Sequence, residues 1–110
     1  MKDAAAEPAG PYYVLRLYVT GPTVRSARAI SNIRKICETY LEGRHNLEVV
    51  DISLHAALAQ LEQIIAAPTL IKKFPLPVCR FIGDMSQTEH IMLGLGLHEA
   101  VGITLSASNS

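Results

Sequence analysis

Ile91-Met92-Leu93-Gly94-Leu95-Gly96-Leu97 is the stretch on which the fold turns, because its residues read in two ways. Large apolar side chains at Ile91, Leu93, Leu95 and Leu97 recur with period two, the pattern of a strand. Upstream, Ser86 and Glu89 have the spacing of a capping box, which announces a helix starting near Gln87. Gly94 and Gly96 each weaken a helix by roughly 0.8–1 kcal/mol relative to alanine, and glycine also weakens a strand interior. Neither conformation is strongly favoured locally. Two glycines that permit close helix packing, or that end the helix early, explain the pattern as well as a change of conformation does.

Working back towards the N-terminus, Pro68, Pro75 and Pro77 confine regular structure between Ala67 and Ile82 to short pieces. The best strand there is Val78 to Ile82, with a short one near Thr69 to Ile71 and a turn at Gly83 and Asp84. Ser53 is placed to cap a helix carrying Leu54, Leu58, Leu61 and Ile65 as a narrow apolar stripe, with Pro68 marking its end. Tyr12 to Val19 is aliphatic and aromatic apart from Arg16, as expected of a central strand covered on both faces. Gly21 and Pro22 break it, and Thr23 is placed to cap a helix with Ala27, Ile30, Ile33, Cys37, Tyr40 and Leu41 on its apolar face. The opposite face carries Arg28, Asn32, Lys35 and Glu42. After Gly43, Leu47 to Ile52 reads as a second strand, which completes a βαβ unit with parallel strands. The expected order is β-α-β-α-β-β-α, an α/β fold.

At 110 residues, 49% of them apolar, the chain suits one domain. We place it at residues 12–98, between flexible tails at 1–11 and 99–110. Ten basic and ten acidic residues give a formal net charge of zero, so no overall field draws the chain to nucleic acid or an anionic membrane. The longest apolar runs fall far short of the roughly 20 residues of a membrane-spanning helix. Met1 to Gly10 has neither the basic start nor the apolar stretch of a secretory signal, and a reducing cytoplasm is the expected compartment.

The residues of catalysis do not assemble in the sequence. A thioredoxin-type enzyme places a low-pKa thiol at the start of the first helix, usually as C-x-x-C; here G-P-T-V-R-S occupies that place, and Cys37 and Cys79 read as packing residues. His45, His55, His90 and His98 form no H-E-x-x-H pattern and include no pair at i, i+4. No catalytic residue, cofactor or metal is therefore expected. Asp51 and Asp84 sit at a strand end and a turn, where aspartate commonly has a structural role. Arg25, Arg28, Arg34 and Lys35 are the densest basic cluster, either a solvated helix face or a surface for an acidic partner or a phosphate.

From about Tyr13 to Leu97 the chain resembles the KaiB family of clock proteins. The resemblance rests on Y-V-L-R-L-Y-V-T-G near the start, L-E-V-V-D-I in the second strand, A-P-T-L at Ala67 to Leu70, F-P-L-P-V at Phe74 to Val78, F-I-G-D-M-S at Phe81 to Ser86, and L-G-L at Leu93 to Leu95. It implies two folds for one sequence: a ground state, usually tetrameric, and a switched thioredoxin-like monomer that binds the KaiC ATPase ring. The order derived above corresponds to the switched form, in which Pro68 takes the place of a cis proline. On this resemblance Pro68, Pro75, Pro77, Gly94 and Gly96 are the fold-switch positions, and replacing Gly96 by alanine is expected to favour the helix.

Arg28, Glu48 and Gln63 are the expected partner contacts. Glu48 and Gln63 stand where well-studied relatives carry lysine, and Gly96 where they carry aspartate. The implied function is a non-catalytic adaptor for a KaiC-like ATPase, as a monomer or a homo-oligomer (dimer or tetramer). The alternatives are a thioredoxin-like module serving a sensor histidine kinase or another non-clock pathway and, with least support, a thiol oxidoreductase.

Overall fold

A computed structural model describes residues 11–97 of the chain. The expected tails lie outside the described residues, apart from Pro11, as does His98. Strand β1 (Tyr13–Val19) leads through helix α1 (Val24–Tyr40) to β2 (His45–Asp51), then through α2 (Ala56–Leu61) to β3 (Thr69–Phe74), β4 (Cys79–Ile82) and α3 (Thr88–Gly94). The element order is the one read from the sequence.

The four strands lie in the order β2-β1-β3-β4. β1 runs parallel to β2 and antiparallel to β3, and β4 is antiparallel to β3. This placement explains the apolar character of β1. Alternate side chains of a strand point to opposite faces, and here both faces are covered. Tyr13, Leu15, Leu17 and Val19 join Ala29, Ile33, Ile36 and Cys37 of α1 and Ile91 and Met92 of α3 in the larger core. Tyr18 turns the other way, to Val50, Ile71 and Leu58 of α2. Arg16, the exception in the strand, lies on that second face.

Thr23 caps α1 as expected, its Oγ1 accepting a hydrogen bond from the Ser26 N–H at 3.1 Å. The buried stripe of the helix is shifted slightly from the expected one. Ser26, Ala29 and Ile36 are buried with Ile33 and Cys37, whereas Ala27 is exposed.

Two expected caps do not form, for the same reason. Ser53 donates its N–H and its hydroxyl to Asp51 Oδ1, and α2 begins later, after His55. Ser86 donates its N–H to Asp84 Oδ1 at 3.1 Å, and α3 starts from Gln87 without a side-chain cap. In both places an aspartate two residues upstream captures the serine in a local turn, which competes with capping. The apolar stripe of α2 is also a correction. The helix ends at Leu61 and Gln63 takes a φ of 57°, so Ile65 never reaches the helical register. Leu54, Leu61 and Ile65 are 76%, 81% and 93% exposed, and only Leu58 of the stripe packs.

Ile91 to Leu97 resolves as helix and helix stop. Leu95 is the C-cap of α3, Gly96 follows at φ 78°, the Leu97 N–H donates to the Met92 carbonyl at 2.8 Å, and the Gly96 N–H to the Leu93 carbonyl at 3.1 Å. This is the Schellman arrangement, which calls for a left-handed residue at the position of Gly96. Gly94 serves close approach, because a β-carbon there would lie 2.2 Å from Cζ of Phe81. The hydroxyl of buried Tyr13 donates to the Leu95 carbonyl, and burial raises the phenol pKa above its ordinary value while nearby Arg44 pulls it back. The peptide bonds preceding Pro68, Pro75 and Pro77 are cis.

The expectation for Gly96→Ala is therefore reversed. Alanine at this positive φ should destabilise the observed fold by about 1 kcal/mol, read as a lower urea midpoint at unchanged slope. Tyr13→Phe should cost roughly 1–3 kcal/mol in the same measurement, because it leaves the Leu95 carbonyl without its buried donor.

Candidate functional site

The place where a thioredoxin-type enzyme would carry its thiols is a closed set of hydrogen bonds. The buried Ser26 hydroxyl accepts from the Thr20 N–H at 3.2 Å and from the Thr23 hydroxyl at 2.9 Å. The Gly21 N–H donates to Asp51 Oδ1 at 3.1 Å. The hydroxyl and N–H of Ser53, then Gly21, hold the Asp51 carboxyl below its ordinary pKa. Asp51 thus ties the two strand ends together, the structural role expected of it. Cys37 lies inside the larger core and Cys79 is half-buried on β4, both unpaired. Burial pushes the Cys37 thiol up to about 11, the opposite of what a nucleophile needs. Among the described residues no group of three His, Cys, Asp or Glu side chains is placed to hold a metal ion.

The face of the sheet that carries α2 presents a different chemistry. Arg16 on β1 donates from Nε to Glu48 Oε1 on β2 at 2.9 Å, and its Nη1 lies 3.6 Å from Glu62 Oε2. Glu62 also pairs with Lys73 of β3. Arg80 of β4 donates to the backbone carbonyls of Glu62 and Gln63. One charged network thus crosses all four strands and fixes the corner at which α2 ends. Hydrogen bonding to Tyr18, and then to Glu48, raises the Arg16 pKa still further.

Of the three expected partner contacts, the structure brings two together. Glu48 is half-exposed within the network and Gln63 sits at its fixed corner. Arg28 is on α1, on the other side of the sheet, 3.9 Å from Asp84 Oδ2. Among the expected fold-switch positions, Pro68 precedes β3, where its carbonyl accepts from the Gly83 N–H at 3.0 Å. Pro75 and Pro77 lie in the β3–β4 connection beside exposed Phe74, Leu76 and Val78, and Gly94 and Gly96 end α3.

Arg16, Glu62, Lys73 and Arg80 were not assigned to a site by sequence reasoning. Arg16 carried a signal, as the one charge in an apolar strand. The other three meet only through the sheet and have no local spacing to reveal them.

The sequence model of the family described as KaiB domain matches residues 16–97. The chain is 49% identical over 84 residues to the circadian clock protein KaiB3 of Synechocystis, a match covering 76% of this chain and 82% of that protein. It is 44% identical over 85 residues to the circadian clock oscillator protein KaiB of Synechococcus elongatus, covering 77% and 83%. In three dimensions it is similar to the N-terminal domain of Synechococcus elongatus SasA, with TM-score 0.64, 15% identity, and coverage of 84% of this chain and 90% of that domain. The thioredoxin Deadhead of Drosophila melanogaster matches with TM-score 0.63, 12% identity, and coverage of 76% and 81%. At such identities the structural likenesses establish a thioredoxin-like fold.

The thiols provide a test of the packing. A thiol reagent at neutral pH should label half-buried Cys79 first and leave Cys37 unmodified until the chain is denatured. Burial raises the Cys37 pKa on folding, from an ordinary 9.0 to about 11. Its contribution to stability should therefore be complete below about pH 9 and be lost as the pH rises towards 11, an effect that denaturation at several pH values will detect and that Cys37→Ala will remove.

Proposed function

The chain belongs to the KaiB family, and on that premise we propose that it is a non-catalytic cytoplasmic adaptor that binds a KaiC-type ATPase ring in circadian timing or a related stress or timing pathway. The observation that carries this reading is the family match across residues 16–97. The core position and raised pKa of Cys37 support a role without thiol chemistry. The docking surface is the α2 side of the sheet, where Glu48 and Gln63 share one network-held face.

Timing follows from a population shift. If the ring binds only the thioredoxin-like form, its apparent affinity falls by the fraction of chains in that form, and scarcity of the form delays assembly. Glu48 and Gln63, in place of the lysines of well-studied relatives, direct the surface to a ring of matching charge, since electrostatic complementarity governs partner choice. A second reading, a thioredoxin-like module serving a sensor histidine kinase or another non-clock pathway, draws support from the fold shared with the SasA domain.

The deciding experiment mixes the purified chain with the KaiC homologue of the same genome, loaded with ATP or with ADP, and follows the complex by size-exclusion chromatography and titration. Binding should depend on the nucleotide, and Glu48→Lys should weaken it about tenfold, equivalent to ~1.4 kcal/mol. No complex in either nucleotide state would overturn the adaptor reading in favour of the second.

A further inference from the structure

Lys72 on β3 is the one basic residue that the fold buries among the described residues, at 4% exposure. Strand alternation puts it on the α1 side of the sheet with Leu70, whereas Ile71 and Lys73 face α2. A lysine commonly buries its stem and keeps its ammonium in water, but so small an exposure leaves the ammonium little water to reach. Among the described residues Lys72 has neither an ion pair nor a side-chain hydrogen bond: Glu48 and Glu62 serve Arg16 and Lys73, and Asp84 serves Arg28. A charge withdrawn from water without a partner is costly, so this position favours the arrival of an anion.

The sheet supplies the group that can become one. Lys72 stands between Leu15 of β1 and Cys79 of β4, its register partners on either side. Residues directly opposite in an antiparallel pair share a face, with Cβ atoms about 4.5–5.5 Å apart, and Cys79 packs against the same larger core. Leu15 can hold no charge, whereas a cysteine can hold one as an oxyacid of sulfur. The Cys79 thiol is free and half-buried, and its S–H makes only a long contact of 3.7 Å with the Pro77 carbonyl. Cys37, by contrast, is 1% exposed. Oxidation selects thiols that solvent can reach and that lie next to a cation.

We propose that Cys79 is a site of modification by hydrogen peroxide, with Lys72 the cation that holds the oxyanion formed. The Cys79 thiolate attacks one peroxide oxygen, the S–O bond forms as the O–O bond breaks, and the sulfur is oxidised by two electrons. The other oxygen leaves as hydroxide, takes up the proton of the sulfenic acid and departs as water. The negative charge then rests on the sulfur-bound oxygen, beside the Lys72 ammonium. The change is stoichiometric rather than catalytic, and it lies across the sheet from the α2-side docking face, so the adaptor reading and this one stand or fall independently.

The test treats the full chain with hydrogen peroxide, traps the sulfenic acid with dimedone and locates the adduct by peptide mass spectrometry. Cys79 should carry the adduct and Cys37 none. Lys72→Met, which removes the charge and keeps a long side chain, should slow trapping at least tenfold. Lys72→Arg should restore most of the rate, and Lys35→Met, an exposed change on α1, should leave it as it was. A second measurement reads the ion pair without peroxide: Cys79→Asp, which sets a permanent anion at the same place, should lower the urea midpoint less in the wild-type background than in Lys72→Met. An adduct on Cys37 in the folded chain, an undiminished rate in Lys72→Met, or the same effect of Cys79→Asp in both backgrounds would each overturn the proposal.

Discussion

The closing of α3 over the sheet is the constraint on which this structure depends. The strand β1 can be as apolar as it is only because both its faces are covered, and α3 with Leu95 and Leu97 completes the cover on the larger core. Three local fits make the closure: the absent side chain of Gly94 admits the Phe81 ring, the left-handed backbone at Gly96 turns the chain, and the Tyr13 hydroxyl meets the carbonyl of Leu95. Each fit involves one small group. The hydrophobic gain of the core is therefore conditional on short-range backbone geometry at one end of the chain.

The same scaffold separates two chemistries. On the α1 side, the strand ends and the first helical turn are tied by Thr23, Ser26 and Asp51, hydroxyl and carboxylate groups that satisfy backbone donors where an enzyme of this fold would hold a reactive thiol. On the α2 side, Glu62 collects Arg16 and Lys73 while Arg80 holds the carbonyls beyond it. Ion pairs of such partial exposure contribute little stability singly. Their effect here is geometric, because they hold the end of a six-residue helix that has few other contacts to fix it.

Much of the fold was legible because it rests on local rules. The apolar run of β1, the Thr23 cap, the βαβ order and the start of α3 near Gln87 all follow from residues close together in sequence. What failed also failed locally: Ser53 and Ser86 each had an aspartate two residues upstream offering a nearer partner, and the spacing of Leu54, Leu58, Leu61 and Ile65 implied a longer helix than the positive φ of Gln63 allows. The two-way reading of Ile91 to Leu97 could not be settled from its own residues, since what selects the helix is Phe81 and Tyr13, which are distant in sequence. The candidate site was legible in part. Glu48 and Gln63 came from resemblance, whereas the network joining them exists only once four strands are aligned.

The failed stripe of α2 has a further, colloidal consequence. Leu54, Leu61 and Ile65 stand in water, and Ile82 and Val78 on and beside the edge strand do the same. The chain carries a formal net charge of zero at pH 7, so little long-range repulsion keeps two copies apart when such surfaces meet. By the same reasoning, colloidal stability is least near neutrality and rises as the pH moves away from it and the chain gains net charge.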